Sequence, residues 1–182
     1  MQFQKTEFEG LIIIEPNIYE DDRGYFFESF NQATSSSNGL LKEFVQDNES
    51  MSKKGVVRGF HYQKSPFAQA KLVRVIKGCV QDVVIDMRSS SKTFGKSYSI
   101  ILSEENKKQM LIPRGFAHAF LSLEDQTIFS YKCDNYYSKV HECGLHPILQ
   151  DRFSDWELDI EEAIVSEKDL LLPNFEDAFK FR

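Results

Sequence analysis

The sequence is short of cysteine, of positive charge and of long apolar runs, and each shortage closes off a class of protein. Its 182 residues contain three cysteines, Cys79, Cys133 and Cys143, an odd number without CxxC spacing. That pattern excludes a disulfide framework and a structural zinc site and suits a reducing compartment, so a cytoplasmic protein is expected. The opening stretch MQFQKTEFEGLIIIEP holds one short apolar run, residues 11–14, too brief for a signal-peptide core or a membrane span. Lysine and arginine number 22 against 28 aspartate and glutamate, a net charge of −6, which argues against nucleic acid or an anionic membrane as partner. An anionic ligand would need a basic site of its own. The sequence has no internal repeat and no linker, and its one low-complexity patch, residues 34–39, reads as a surface connection.

What the chain does carry is aromatic and strand-forming. Hydrophobic residues make up 41% and aromatic residues 13%, with 16 phenylalanines, a composition that excludes disorder and favours β structure. At this length a single domain, residues 1–182, buries about two thirds of its unfolded surface. Short apolar or alternating segments recur between turn signals at 11–15, 24–30, 56–62, 72–76, 80–86, 98–102, 109–112, 119–123 and 127–132. That spacing predicts an all-β sandwich or barrel. Lys77-Gly78, between two alternating runs, reads as a tight hairpin turn. Helix is expected only at 31–42 and near the C-terminus.

The densest polar stretch is Phe44-Val45-Gln46-Asp47-Asn48-Glu49-Ser50, followed by Gly55-Val56-Val57-Arg58-Gly59-Phe60-His61-Tyr62-Gln63. Strand alternation in the second sends His61 and Gln63 to one face and Arg58, Phe60 and Tyr62 to the other. If the first face lines a barrel interior, His61 sits among polar neighbours; a core histidine with satisfied hydrogen bonds is the alternative. Pro113-Arg114-Gly115-Phe116-Ala117-His118 is a PxGxxH turn running into a strand. In this order, with Gly78, the two segments resemble the paired motifs of the cupin superfamily. The resemblance implies a double-stranded β-helix, or jelly roll, with a few short helices. Metal-binding cupins use an HxH pair, a glutamate ahead of a glycine, and the histidine of the second motif. Here Gln63 stands in place of the second histidine, and Lys71, seven positions before Gly78, in place of the glutamate. An ammonium repels a divalent cation and two histidines are too few for a tight site, so no metal and no other cofactor is expected. A fixed lysine can instead stabilise a developing oxyanion. With His61 as base, the implied chemistry is proton abstraction next to a carbonyl. A surface lysine on a strand is the alternative for Lys71.

The runs FVQDNESMSKKGVVRGFHYQ (44–63), KLVRVIKG (71–78), DVVIDMR (82–88), TFG (93–95), LSEENKKQMLIPRGFAHAF (102–120), YKCDNYY (131–137) and SEKD (166–169) together resemble the dTDP-4-dehydrorhamnose 3,5-epimerase family over nearly the whole chain. The resemblance implies a homodimer that converts dTDP-4-dehydro-6-deoxy-D-glucose to dTDP-4-dehydro-L-rhamnose by inverting C3 and C5. It makes His61 the general base, Asp169 the carboxylate that orients it, Lys71 the group facing the C4 oxygen, and Tyr131 the acid on the opposite face. It assigns Arg23, Glu28, Gln46, Asn48, Arg58, His118, Glu142 and Lys168 to substrate contacts, and Phe26 and Tyr137 to stacking on thymine. Residues 22–30 would reach the nucleotide of the partner subunit, with N-terminal strands exchanged or packed across the dimer interface. Arginines and lysines among these contacts could neutralise a diphosphate on an otherwise acidic chain. For Tyr131 the alternative is a core aromatic with its hydroxyl tied off. The chain departs from the family pattern at Leu111, at Ala119 and through residues 145–156, where His141 and His146 nearby receive no role. Rival functions are a dTDP-sugar epimerase inverting one carbon, a 3,4-ketoisomerase on the same scaffold, or a non-catalytic sugar-binding cupin. Joint retention of His61, Lys71, Tyr131 and Asp169 weighs against the last, because binding alone needs no base opposite an acid.

Overall fold

The computed structural model describes residues 1–38, 43–148, 152–153 and 155–182. In chain order its strands are β1 (Gln2–Lys5), β2 (Ile12–Glu15), β3 (Tyr19–Asp21), β4 (Gly24–Phe26), β5 (Gln46–Ser52), β6 (Val57–Gln63) and β7 (Lys71–Lys77). They continue as β8 (Cys79–Asp86), β9 (Ser97–Ser103), β10 (Gln109–Ile112), β11 (Phe116–Ser122), β12 (Thr127–Cys133) and β13 (Glu142–Gly144). Two short helices accompany them, α1 (Gln32–Ser37) and α2 (Glu167–Leu170). One sheet has the order β1-β2-β10-β7-β12-β5 and the other β13-β6-β11-β8-β9, and β3-β4 form a separate two-stranded ribbon. The result is the cupin-type jelly roll, all-β with few helices.

The period of two along each strand decides what faces the interior. Along β7 the alternate residues Val73 and Val75 join Val80 and Val84 of β8, Phe116 and Phe120 of β11, and Phe129 of β12 in one core between the sheets. Lys71 shares the inward parity of Val73, His118 that of Phe116 and Phe120, and Asp82 that of Val80 and Val84. The opposite face of the five-stranded sheet is covered as well: Phe60, Tyr62, Val83, Ile85, Ala117 and Ala119 pack under Leu145, Phe153, Phe175 and Ala178 of the C-terminal segment. Strand β8 is therefore buried on both sides over almost its whole length. Specific bonds hold the C-terminal segment there. Gln81 donates to the carbonyl of Asp155 at 2.7 Å and accepts from the amide of Glu157 at 2.8 Å. Further along, Ile164 exchanges backbone bonds with Gly55 and Val57.

Two expectations are corrected here. Lys77-Gly78 is not a hairpin turn, because β7 and β8 do not pair; the chain passes there from the six-stranded to the five-stranded sheet. Gly78 makes this corner with φ +80°, and a Cβ on it would lie 2.5 Å from Thr127 Oγ1. Strict alternation in β6 also fails. Between His61, opposite His118, and Arg58, opposite Phe120, β6 has one residue more than β11, a β-bulge centred on Gly59 with φ +125°. The bulge reverses parity, so Arg58 faces the same cavity as His61. Elsewhere the strand expected at 24–30 ends at Phe26, and the helix expected over 31–42 is α1, with residues 39–42 outside the described set.

An L-residue at φ near +80° costs about 1–2 kcal/mol, and the overlap with Thr127 adds to that. Gly78→Ala should lower the unfolding free energy by about 2 kcal/mol or more, read from a urea titration. An unchanged midpoint would show that the sheet-to-sheet corner tolerates a side chain.

Candidate active site

A cavity of about 500 Å³ opens between the sheets, lined by Arg58, His61, Lys71, His118, Tyr131, Lys168 and Asp169 among others. A smaller one of about 240 Å³ shares His61, Lys71 and Tyr131 and adds Gln46, Asn48, Gln63, Tyr137 and Glu142. The three shared residues thus stand between two lobes. His61 comes from β6 of the five-stranded sheet, whereas Lys71 and Tyr131 come from β7 and β12 of the six-stranded sheet. Imidazole and phenol therefore approach the cavity from opposite walls.

His61 Nε2 lies 2.6 Å from Asp169 Oδ1, and because an ionised carboxylate only accepts, the imidazole donates through Nε2–H in this pair. The partners are 108 residues apart in sequence. Asp169 is 4% exposed and sits in α2, whose first turn is capped by Ser166 Oγ accepting from the Asp169 amide at 3.1 Å. Burial alone would raise the Asp169 carboxyl. The bond and charge of His61, the Ser166 hydroxyl and the Gly59 backbone outweigh it and hold the group below the usual carboxylate range.

A second histidine-carboxylate pair lies deeper. His118 Nε2 meets Asp82 Oδ1 at 2.9 Å and Oδ2 at 3.0 Å, with Asp82 fully buried. Burial dominates both: it lowers His118 and raises Asp82, so each is pushed toward its neutral form against their mutual attraction. Lys71 is enclosed by the barrel yet reached from the cavity, and its ammonium donates to the His61 carbonyl at 3.4 Å. Burial lowers its pKa, opposed by Cys133, Asp82 and Glu142. Its Nζ lies 5.7 Å from the centre of the Tyr131 ring, whose phenol burial raises. Asp82 carries no role in the sequence analysis, although a carboxylate at the inward position between Val80 and Val84 is a readable signal. Ser166 likewise gained no role there.

The other expected contact residues divide into two groups. In the smaller lobe, Glu142 accepts from Lys168 Nζ at 2.7 Å through both oxygens and from Tyr137 Oη at 2.9 Å. Gln46 accepts from the Tyr137 amide at 3.0 Å and donates to Asn48 at 3.1 Å. Arg58 binds Ser52 Oγ at 3.1 Å at the edge of the larger lobe. The second group is not brought to the cavity by this chain. Arg23 and Phe26 lie on the β3–β4 ribbon, where Arg23 pairs with Asp21 and Phe26 is 70% exposed; Glu28, just beyond the ribbon, accepts from Asn31. His141 packs on Phe67, and His146 accepts from the Ile148 amide. Among the described residues no three His, Cys, Asp or Glu side chains converge as a metal-binding group, and no helix is long and apolar enough to cross a membrane.

A carboxyl whose folded pKa is depressed contributes stability that is present above its unfolded value of about 3.9 and is lost as pH falls through the folded value. Asp169→Asn cannot titrate. Its unfolding free energy should be lower than that of the parent at pH 7 by about 1–3 kcal/mol. It should also fall less steeply on acidification below about pH 4. Parallel acid slopes for the two proteins would show that the His61 bond does not hold the Asp169 charge.

The sequence model described as dTDP-4-dehydrorhamnose 3,5-epimerase matches residues 5–177. A dTDP-4-dehydrorhamnose 3,5-epimerase of Shigella flexneri is 47% identical over 182 residues, 100% of this chain and 99% of that protein. The crystal structure of dTDP-4-dehydrorhamnose 3,5-epimerase from Elizabethkingia anophelis NUHP1 superposes with a TM-score of 0.91 at 46% identity, covering 97% of each chain. That of dTDP-6-deoxy-D-glucose-3,5-epimerase from Legionella pneumophila Philadelphia 1, in complex with dTDP-4-keto-L-rhamnose, gives 0.90 at 44% identity, covering 97% of this chain and 93% of the other. A jelly roll with this cavity, matched along nearly its full length in sequence and in structure, belongs to the dTDP-4-dehydrorhamnose 3,5-epimerase family.

Proposed function

We propose that this chain inverts C3 and C5 of dTDP-4-dehydro-6-deoxy-D-glucose, using His61 as base and Tyr131 as acid on opposite faces of the sugar. The observation that carries this reading is the placement of the two groups on opposing sheets across one cavity, with Lys71 beside the phenol. A hydrogen on C3 or C5 is acidic because removing it gives an enolate whose charge rests on the C4 oxygen. His61 takes that proton, its developing positive charge compensated by Asp169. Lys71, whose Nζ lies 3.4 Å from the His61 carbonyl and 5.7 Å from the centre of the Tyr131 ring, stabilises the enolate oxygen. The raised phenol of Tyr131 keeps its proton at neutral pH and delivers it from the other side, so the carbon is returned with inverted configuration. Arg58 and Lys71 offset the phenolate that remains. Proton return from bulk solvent through the acid and base closes the cycle for the second carbon.

For the nucleotide, the smaller lobe supplies Gln46, Asn48 and Glu142, the Tyr137 ring offers a face for thymine, and Arg58 and Lys168 bring positive charge to the diphosphate. The hexose then occupies the space among His61, Lys71, His118 and Tyr131. Three free cysteines fit a reducing cytoplasm as the site of the reaction.

Deuterium exchange separates base from acid. In deuterium oxide, His61→Asn should lose label wash-in at both carbons by about a hundredfold or more. Tyr131→Phe should still label recovered starting material, because His61 can exchange its proton and return it to the same face, but should form little L-configured product. Inversion of C5 at near parental rate by Tyr131→Phe, followed by NMR, would remove Tyr131 from the mechanism.

The β3–β4 ribbon motivates a dimer. It exposes Tyr19, Tyr25 and Phe26 by 57–70% and holds Arg23 away from its own cavity, more bare ring surface than a free edge usually carries. In this reading Arg23, Phe26 and Glu28 complete the site of a second copy across a two-fold axis. Light scattering should give a dimer. Mixing Arg23→Ala chains with His61→Asn chains should recover about a quarter of parental activity, since half of the pairs are mixed and each holds one intact site. A fully active monomer, or no recovery on mixing, would overturn the shared site.

A further inference from the structure

We propose that Gln63 is a positioning residue for nucleotide recognition, acting by fixing the backbone that carries Tyr137. The proposal rests on the reading of Tyr137 as the platform for thymine. Gln63 is 5% exposed and lies two residues beyond His61 on the inward side of β6. Its carboxamide is committed to the backbone of two loops. Nε2 donates to the carbonyls of Phe67 at 3.0 Å and Tyr136 at 3.3 Å, and Oε1 accepts from the amide of Ser138 at 2.6 Å. The bonds to residues 136 and 138 straddle Tyr137, whose own amide is held by Gln46. Both flanks of the residue are thus tied to the barrel wall, while its ring stays 51% exposed beside the smaller lobe.

The chemical reason for such a clamp is the cost of ordering. A ring that stacks on a base contributes most when its height and tilt are set before the ligand arrives; a mobile ring gives back part of the stacking energy as lost conformational freedom. The base of the loop has separate supports, since Gln69 Nε2 donates to the Asn135 carbonyl at 2.7 Å and Asn135 Nδ2 to the Pro66 carbonyl at 3.0 Å. Removing the Gln63 amide therefore releases residues 136 and 138 on either side of Tyr137, leaving its amide on Gln46 and its hydroxyl on Glu142, without detaching the loop. The reacting groups stay where they are, because His61 is held by Asp169 and Lys71 by its strand. Gln63 accordingly acts on binding of the nucleotide and not on the chemical step.

The test is a double-mutant cycle read by calorimetry with two probes, dTDP and inorganic pyrophosphate, together with steady-state kinetics on dTDP-4-dehydro-6-deoxyglucose. Gln63→Leu should weaken dTDP and raise KM, each by about tenfold, with kcat within about twofold and pyrophosphate affinity unchanged. Tyr137→Ala should weaken dTDP at least as much. The double variant should match Tyr137→Ala within about twofold, because a clamp has no effect once the ring is gone. Gln63→Glu keeps the acceptor for Ser138 and turns a carboxylate on two carbonyls. It should weaken dTDP in the same direction and serves if the leucine variant does not fold. Additive losses in the double variant, or an equal loss for pyrophosphate, would overturn the proposal. Parental dTDP affinity in both Gln63 variants, with Tyr137→Ala impaired, would also overturn it while leaving the thymine reading intact. Parental affinity in Tyr137→Ala would overturn both.

Discussion

Enclosing charge inside a sheet sandwich is the constraint on which the rest of this structure depends. The interior row that runs through Val73 and Val75 begins at Lys71, and the facing sheet contributes Asp82, His118 and His61 to the same space. An unpaired ion there would cost several kcal/mol, so each has a partner: Asp82 takes His118 with both oxygens, Asp169 takes His61, and Lys71 lies in the field of Asp82 and Glu142. Burial pushes Lys71, His118 and Asp82 toward their neutral forms, and their partners oppose it. In the proposed mechanism, a lysine kept short of full solvation and a phenol kept protonated serve enolate formation.

The partner of His61 comes from far along the chain, and this explains the course of the C-terminal segment beyond β13. Leu145, Phe153, Phe175 and Ala178 beyond β13 cover Phe60 and Tyr62 on the outer face of the five-stranded sheet, and Asp155 and Glu157 are pinned by Gln81. The segment then re-enters at the edge of β6 through Ile164 and sets Asp169 under His61 from the short capped helix α2. The outer packing thereby helps to set the geometry of the cavity, in which the Asp169 carboxylate lies 2.6 Å from the imidazole.

Much of this was legible in the sequence, and the gaps have physical causes. The strands with apolar alternation, β7, β8, β11 and β12, were readable because one or both of their faces meet hydrocarbon. Strand β5 was not: its inward residues Gln46, Asn48 and Ser50 face a polar cavity and its outward residues face water, so both faces are hydrophilic and the period of two vanishes. The corner at Gly78 carries the residue type of a hairpin turn, and only non-local pairing distinguishes a hairpin from a change of sheet. The bulge at Gly59 turns Arg58 to the cavity that His61 lines, an outcome that alternation cannot foresee. His61 and Lys71 stand out in the paired motifs and their spacing to Gly78, Tyr131 and Asp169 only through the family resemblance, and the structure gathers all four on one cavity. The inward position of Asp82 between Val80 and Val84 is legible, but its pairing with His118 and the bonds of Gln63 to Tyr136 and Ser138 are contacts between residues far apart in the chain, which no local pattern announces.

The central claim is that base and acid address opposite faces of one sugar ring. The most direct measurement is a crystal structure of this protein with dTDP-L-rhamnose bound. The pyranose should lie between the His61 imidazole and the Tyr131 hydroxyl, one on each face of C5, with O4 within hydrogen-bonding distance of Lys71 Nζ. A sugar seated with both groups on the same face, or outside the cavity between the sheets, would contradict it.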